Sequence, residues 1–289
     1  MPTAQGDPMP PNHHHDNDEL HDHDLGLSHD LPTLLNRRRA LGLLSGAGLA
    51  AALAACSSDG ASTATTSASG SATTAASTAA ATGGGIPEET AGPYPGDGSN
   101  GVNVLTESGI VRSDITSSFG TASGAAQGVP LTISLTVLDT ANGSAPLEGA
   151  AVYLWHCDQS GRYSLYSDGV TNENYLRGVQ EAAADGTVTF TSVYPAAYSG
   201  RWPHIHFEVY PSLTDATRAS GKLRTSQVAL PEEPSKLVYA TDGYDASLGN
   251  LAQTSLQTDM VFSDGWSLQL GKVTGDVNTG MTVALNVPV

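Results

Sequence analysis

Two histidines separated by one residue, His204 and His206, are the side chains of this sequence best suited to binding a metal. They stand at the start of an apolar run that predicts a β-strand over 205–210, and alternate side chains of a strand share one face. Both imidazoles can therefore reach one ion while Ile205 points into the opposite layer. The pair alone leaves two alternatives open, because histidines at this spacing also occur as hydrogen-bonded surface pairs.

Nearby residues favour the metal-site alternative. Arg201 precedes His204 by three residues and Tyr198 precedes it by six. Tyr163 follows Gly161-Arg162 at the end of another predicted strand. These polar and aromatic side chains could complete a site around the histidine pair.

Short apolar runs predict the strands that must position these side chains. Strict alternation marks residues 131–138, 187–190 and 281–287, and further strands are predicted over 150–155, 205–210, 223–230 and 266–270. Seven short strands without helical periodicity between them predict an all-β fold, an antiparallel β-sandwich. Asp185-Gly186 predicts a hairpin turn, and residues 239–257 predict loops or short helical turns.

Charge and cysteine content exclude some classes of partner and some ways of stabilising the fold. The 289 residues carry 12 Lys and Arg against 29 Asp and Glu, a formal net charge of −17. A polyanion would meet no basic surface, so nucleic acid is excluded as a partner. Cys56 and Cys157 are the two cysteines of the sequence, and processing at the first would leave no partner for an intramolecular disulfide.

The first 55 residues predict a targeting leader. Three arginines, Arg37 to Arg39, precede an uncharged run over 40–55 that is too short for a comfortable membrane span. Residues 53–56 resemble the lipobox of bacterial lipoproteins, and the arginines resemble a twin-arginine export signal. We therefore expect a signal peptide over 1–55 and lipidation of Cys56. The six histidines within residues 1–35 fit a discarded leader, with a metal-binding tract as the alternative.

Residues 56–85 predict a tether. Beyond Cys56 the segment is almost entirely Ser, Thr, Ala and Gly, which cannot bury enough apolar surface to fold. Random-coil scaling gives it a reach of roughly 30 Å. The sequence thus predicts one folded domain over 86–289, exported and held by lipid at the outer face of the cytoplasmic membrane, or extracellular.

Three runs, over 161–164, 194–198 and 201–207, resemble the intradiol ring-cleavage dioxygenases, the group of protocatechuate 3,4-dioxygenase and catechol 1,2-dioxygenase. Residues 89–94 and 225–227 add to a resemblance that covers essentially all of 86–289. It implies a prealbumin-like sandwich with long loops. The long helical N-terminal region of catechol 1,2-dioxygenases has no counterpart here, so the oligomeric state stays open.

The resemblance also implies a non-haem ferric site. Its metal ligands would be Tyr163, Tyr198, His204 and His206. Fe³⁺ is a hard ion that favours anionic oxygen ligands. A free tyrosine has a pKa near ~10, so only a metal would keep two of them ionised at neutral pH.

The implied activity is the cleavage of a catechol-type diol by O₂ to a cis,cis-muconate-type diacid. Tyr198 would leave the iron and act as a base, Arg201 would stabilise charge on the substrate ring, and Gln227 would lie beside the O₂ pocket. Which catechol is the substrate stays open. The alternative function is a tethered sandwich module that binds a metal or an aromatic ligand without turnover, and a transthyretin-like hydrolase lacks its expected extra histidines.

Several assignments have structural alternatives. Tyr166 or Tyr194 could be mistaken for the ligand tyrosines, Arg201 could pair with a surface carboxylate, and Gln227 could be purely structural. His156 is interpreted as a pocket wall or a hydrogen-bonded core histidine, and Cys157 as a buried thiol.

Overall fold

The computed structural model describes residues 84–289, in which nine strands form two β-sheets. The strands are β1 (Pro130–Asp139), β2 (Ala145–Pro146), β3 (Ala151–Trp155), β4 (Arg177–Glu181), β5 (Thr187–Val193), β6 (His204–Tyr210), β7 (Arg224–Ala229), β8 (Lys272–Asp276) and β9 (Gly280–Pro288). Three short helices are α1 (Leu213–Thr217), α2 (Glu232–Tyr239) and α3 (Ser247–Leu251). The leader predicted over 1–55, Cys56 and most of the tether predicted over 56–85 lie outside the described residues.

The first sheet is built around β1. This strand pairs antiparallel with β2 and β5 and parallel with β9, and β8 extends the sheet beyond β9. Leu131, Ile133, Leu135 and Val137 are buried while the residues between them are half-buried, as the alternating sequence predicts. One face of this sheet therefore packs into the core.

The second sheet, in the order β4-β3-β6-β7, is antiparallel throughout and positions the two histidines. Every residue of β6 is buried, so both of its faces are covered. Ile205, Phe207 and Val209 belong to the core shared with the first sheet. Because side chains alternate along a strand, His204 and His206 lie on the opposite face, under the long loops.

Six of the seven predicted strands are confirmed, and the strand predicted over 266–270 is wrong. That segment is a helical turn, in which the Trp266 carbonyl accepts the N–H groups of Gln269 and Leu270. Leu270 makes an isolated bridge with Ala229. The pattern does not predict β4 or β8, because both strands are rich in polar residues and lack an apolar repeat.

The predicted turn at Asp185-Gly186 is present, but it does not make a hairpin. Gly186 has φ +77°, and the Asp185 carboxylate accepts the N–H of Thr187. The turn joins β4 to β5, which lie in different sheets. The sandwich is likewise not purely antiparallel, since β1 and β9 run parallel.

Residues 239–257 form loops and one short helix, α3, as predicted. The segment begins where α2 ends and packs beside the loop that precedes β6, as its hydrogen bonds to Tyr194 and Ala197 show. Within residues 84–289, no helix combines the length and the apolar character that crossing a membrane requires.

Candidate active site

Four side chains from three segments converge on one point. Tyr163 comes from the loop after β3, Tyr198 from the loop between β5 and β6, and His204 and His206 from β6 itself. The Tyr163 hydroxyl lies 3.5 Å from that of Tyr198 and 3.4 Å from His204 Nε2. His204 Nε2 lies 3.2 Å from the Tyr198 hydroxyl and 3.0 Å from His206 Nε2. The structure thus brings together the four side chains that the resemblance implies as metal ligands.

The cluster is buried except at Tyr198. Tyr163, His204 and His206 are 1%, 2% and 3% exposed, whereas Tyr198 is only partly buried. Burial raises the pKa of Tyr163 well above its usual value. It lowers the pKa of His204 to about 3 and the pKa of His206 well below its usual value. By itself the protein therefore holds a neutral phenol and neutral imidazoles, so ionising Tyr163 requires a cation.

The arrangement of donor atoms fits a metal ion. His204 Nδ1 lies 2.6 Å from the Trp202 carbonyl, which makes Nδ1 the protonated nitrogen and leaves a lone pair on Nε2. That lone pair faces His206 Nε2 and the two phenol oxygens. A hydrogen bond from the distal nitrogen to a carbonyl is the usual way in which a metal-binding histidine is oriented.

Tyrosine is essential to any metal site built on these residues. In the part of the chain that the structure describes, no group of three or more His, Cys, Asp or Glu side chains could hold a metal ion. Two histidines and two tyrosines nevertheless supply four donors. Phenolate oxygens suit a hard cation such as Fe³⁺, so the residues present fit the ferric ion that the sequence predicts.

His206 is oriented by stacking. Its ring lies parallel to that of Trp155, with 4.9 Å between centroids and 7° between planes. Across residues 84–289, His206 Nδ1 and Trp155 Nε1 are among the few buried side-chain nitrogens without a hydrogen-bond partner. The two residues are also register partners on β3 and β6, so the sheet itself brings the rings together.

Arg201 is buried beside the cluster. The alternative that it pairs with a surface carboxylate is wrong, because its partner Asp259 is also buried. Its guanidinium is 1% exposed, and Nε donates to the Asp259 carboxylate at 3.0 Å. Burial alone would raise the pKa of Asp259, but Arg201 and the hydrogen bonds to this carboxylate hold its pKa below the usual 3.8. The arginine therefore adds a fixed positive charge next to the site.

Gln227 links Arg201 to the N-terminal segment. It is fully buried and is the register partner of His206 on β7. Its carbonyl oxygen accepts a hydrogen bond from Arg201 Nη2 at 2.7 Å, and its amide donates to the Thr90 carbonyl at 3.0 Å. The oxygen and the nitrogen of the side-chain amide are thus both hydrogen-bonded, and the side chain is held on the face of the sheet that carries the cluster.

The alternative tyrosines lie outside the cluster. The Tyr166 hydroxyl donates to Asn100, and the Tyr194 hydroxyl pairs with Ser235. His156 is a hydrogen-bonded core histidine, with Nδ1 2.8 Å from the Cys157 carbonyl and Nε2 2.7 Å from the Ser192 hydroxyl.

Cys157 is the buried thiol that the sequence predicts, and it is unpaired. Burial raises the pKa of this thiol far above its usual value.

Two further residues organise the site without any signal in the sequence. Asp259 lies 58 residues after Arg201 and follows no motif. Arg177, also buried, donates to the carbonyls of Tyr94, Pro95 and Ser164, and so ties the N-terminal segment to the residue after Tyr163. The Tyr94 ring then lies 4.8 Å from that of Tyr163.

A cleft of about 170 Å³ opens beside Tyr198. Its lining includes Gln159 and Ser160, and Ser247 and Asn250 of α3. Tyr198 is the member of the cluster that lines this space.

Comparison with known proteins finds similarity to dioxygenases. The family profile described as Dioxygenase matches residues 112–214, which contain all four clustered side chains. Chlorocatechol 1,2-dioxygenase of Rhodococcus opacus is 35% identical over 63 residues, a match that spans 22% of this chain and 24% of that enzyme. An intradiol ring-cleavage dioxygenase from Tetranychus urticae has a similar structure, with a TM-score of 0.55, 25% identity and coverage of 70% of this chain and 92% of that one. A second dioxygenase crystal structure, 24% identical with a TM-score of 0.54 over 70% of this chain and 92% of its own, supports the same fold.

The fold and the profile match both relate this domain to dioxygenases. More narrowly, the described domain is similar in structure to an intradiol ring-cleavage dioxygenase, in agreement with the resemblance found in the sequence.

Proposed function

We propose that this protein binds Fe³⁺ through Tyr163, Tyr198, His204 and His206 and cleaves a catechol-type aromatic diol with O₂ to a cis,cis-muconate-type diacid. The observation that carries the proposal is the convergence of two phenol oxygens and two imidazole nitrogens, which are linked by four contacts of 3.0–3.5 Å. When bound, the ferric ion supplies the charge that ionises the phenols and the diol and makes the diol ring reactive toward O₂.

Tyr198 is the residue that receives the substrate. It lines a cleft and is partly exposed, whereas the other three ligands are sealed from solvent. An incoming diol therefore meets Tyr198 first, and with the ferric ion bound the Tyr198 phenolate would accept a proton from the diol at its Oη. Tyr163, His204 and His206 stay in place because they are packed on all sides.

Arg201 and Gln227 prepare the site for negative charge. The Arg201 guanidinium is fixed by Asp259 and by Gln227, so it stabilises charge on the substrate ring without having to reorganise. Gln227 is held in turn by Thr90. A binding module without catalysis would gain nothing from a buried arginine that is oriented on two sides.

The first test is the metal itself. Residues 86–289 expressed in iron-replete cells are expected to hold about one iron per chain and to absorb visible light, because tyrosinate donates charge to ferric iron. Tyr163→Phe and His204→Ala should lose iron and colour while far-UV circular dichroism stays unchanged, since the strand ladders do not depend on the ion. Tyr166→Phe is the matched control and should keep both. Stoichiometric zinc or copper with no iron would contradict the proposal.

We also propose, from the sequence of residues 1–85, that the protein is exported by the twin-arginine route and anchored through lipid on Cys56 at the outer face of the cytoplasmic membrane. Cys56→Ala should abolish incorporation of labelled fatty acid and release the chain from the membrane fraction. Replacing both Arg37 and Arg38 by lysine should leave the precursor inside the cell. Normal export of the double lysine variant would exclude the twin-arginine route, and lipidation of Cys56→Ala would exclude the anchor.

A further inference from the structure

The backbone that leads into Tyr198 is held by a row of side-chain donors. Four consecutive carbonyl groups, those of residues 194–197, each accept a hydrogen bond from a side chain. The Tyr244 hydroxyl donates to the carbonyl of residue 194 at 2.8 Å, and the Tyr239 hydroxyl donates to that of residue 195 at 3.0 Å. The Cys157 thiol donates to the carbonyl of residue 196 at 3.6 Å, and the Asn250 amide donates to that of residue 197 at 2.9 Å. Three of the four donors come from residues 239–250.

The N–H groups of the same stretch are engaged as well. Tyr194 donates to the Val129 carbonyl at 2.8 Å and Ala196 to the Asp158 carbonyl at 3.2 Å. Ala197 donates to the Ser247 hydroxyl at 3.2 Å, so Ser247 and Asn250 of α3 together bind both polar groups of one residue. A buried backbone outside any sheet must find such partners, and here side chains supply them in place of a neighbouring strand.

The hydrogen-bonded stretch 194–197 ends directly before Tyr198. Residues 194–197 are all buried, whereas Tyr198 is partly exposed and lines the cleft. Burial raises the pKa of the Tyr239 and Tyr244 hydroxyls, so both stay protonated and keep donating. The Tyr198 side chain, which reaches His204 with its hydroxyl and borders the cleft, is therefore attached to a fixed backbone.

We propose that residues 239–250, through Tyr239, Tyr244, Ser247 and Asn250, form a positioning element for Tyr198. The element fixes the backbone of 194–197, so that Tyr198 reaches and leaves the cluster by rotation of its side chain and not by movement of the loop. This inference rests on the proposed function, in which Tyr198 is both a ligand and a base. These four residues act through the backbone before Tyr198, and Ser247 and Asn250 also line the cleft.

Two variants test the element. Asn250→Asp keeps the size of the side chain but replaces the donor with an acceptor facing the Ala197 carbonyl, and its partly exposed position lets the fold tolerate the change. Tyr239→Phe combined with Tyr244→Phe removes two donors without changing the rings. We expect iron content to persist, the visible band to shift and kcat to fall about 10-fold with a smaller change in KM, because small misplacements of a positioned group are costly.

Matched controls separate positioning from general damage. Gln253→Glu adds the same charge three residues beyond Asn250, where the exposed side-chain amide donates to the Gly249 carbonyl of α3. Tyr210→Phe removes a buried tyrosine hydrogen bond, to Glu208, on another part of the sheet. Both controls should keep the parental band and kcat.

Hydrogen exchange gives a readout that does not depend on iron or turnover. In the metal-free protein, amide exchange in a peptide spanning 194–198 should accelerate about 10-fold in the test variants and stay unchanged in the controls. Unchanged exchange in both test variants would overturn the positioning element. A parent protein that holds no iron but shows the expected exchange pattern would instead refute the proposed function and leave the anchoring intact.

Discussion

Replacing Asp259 with alanine is expected to lower the free energy of unfolding by about 3–5 kcal/mol, because it leaves the buried Arg201 guanidinium without its counter-charge. Asp259 is fully buried and accepts hydrogen bonds from Arg201 Nε at 3.0 Å and from the Trp202 N–H at 2.7 Å. Its second oxygen also accepts the N–H groups of Val261 and Phe262 at 2.9 and 3.2 Å. One substitution thus removes the counter-charge of Arg201 and the acceptor of three backbone N–H groups.

Thermal denaturation measures this effect, which should amount to roughly 10 °C in melting temperature for a domain of this size. Glu232→Ala is the control, since it removes an exposed carboxylate that pairs with Lys236 and should leave the melting temperature nearly unchanged. Equal melting temperatures for Asp259→Ala and Glu232→Ala would contradict the role given to the buried pair.

A double variant separates stability from catalysis. Arg201→Met combined with Asp259→Leu replaces both charges by apolar groups, which often restores the stability that a single removal costs. Turnover should not recover, because the positive charge proposed to stabilise the substrate ring is gone. Recovery of both properties would show that Arg201 has only a structural role.

The parts of the site that could be predicted from sequence are those that local spacing encodes. The alternation of His204 and His206 follows from the period of a strand, and the motif resemblance supplied Tyr163 and Tyr198. Asp259 could not be predicted in this way. Its contact with Arg201 joins two loops that are distant in sequence, and no periodic pattern connects them.

The errors in the predicted fold have a similar origin. Residues 266–270 alternate like a strand, yet they close a helical turn through the Trp266 carbonyl, because the chain must bend there before β8. An apolar alternation does not predict β4, because the strand begins with Arg177, a charged residue that is nevertheless buried. Its charge is accommodated by carbonyl and hydroxyl groups that come from distant segments, including Tyr94 and Ser164.

Tyr198→Phe is expected to lower turnover by roughly 10²-fold or more, the scale set by the loss of a positioned general base. Tyr163, His204 and His206 remain as donors, and all three are buried and well oriented. The variant should therefore retain iron, and its visible band should shift but persist. Tyr163→Phe, by contrast, removes a buried ligand and should lose the metal, so the two tyrosines are separated by one measurement of iron content.

The decisive measurement titrates Tyr198→Phe with 4-methylcatechol, following the visible band and then O₂ consumption. The substrate should still change the band, because the cleft and the three remaining ligands are intact, while O₂ consumption stays low. Tyr194→Phe is the matched control, since its hydroxyl pairs with Ser235 outside the cluster and its carbonyl is unchanged by the substitution. O₂ consumption at the parental rate in Tyr198→Phe would exclude Tyr198 as the base. An equally severe loss in Tyr194→Phe would show that the motif had been aligned to the wrong tyrosine.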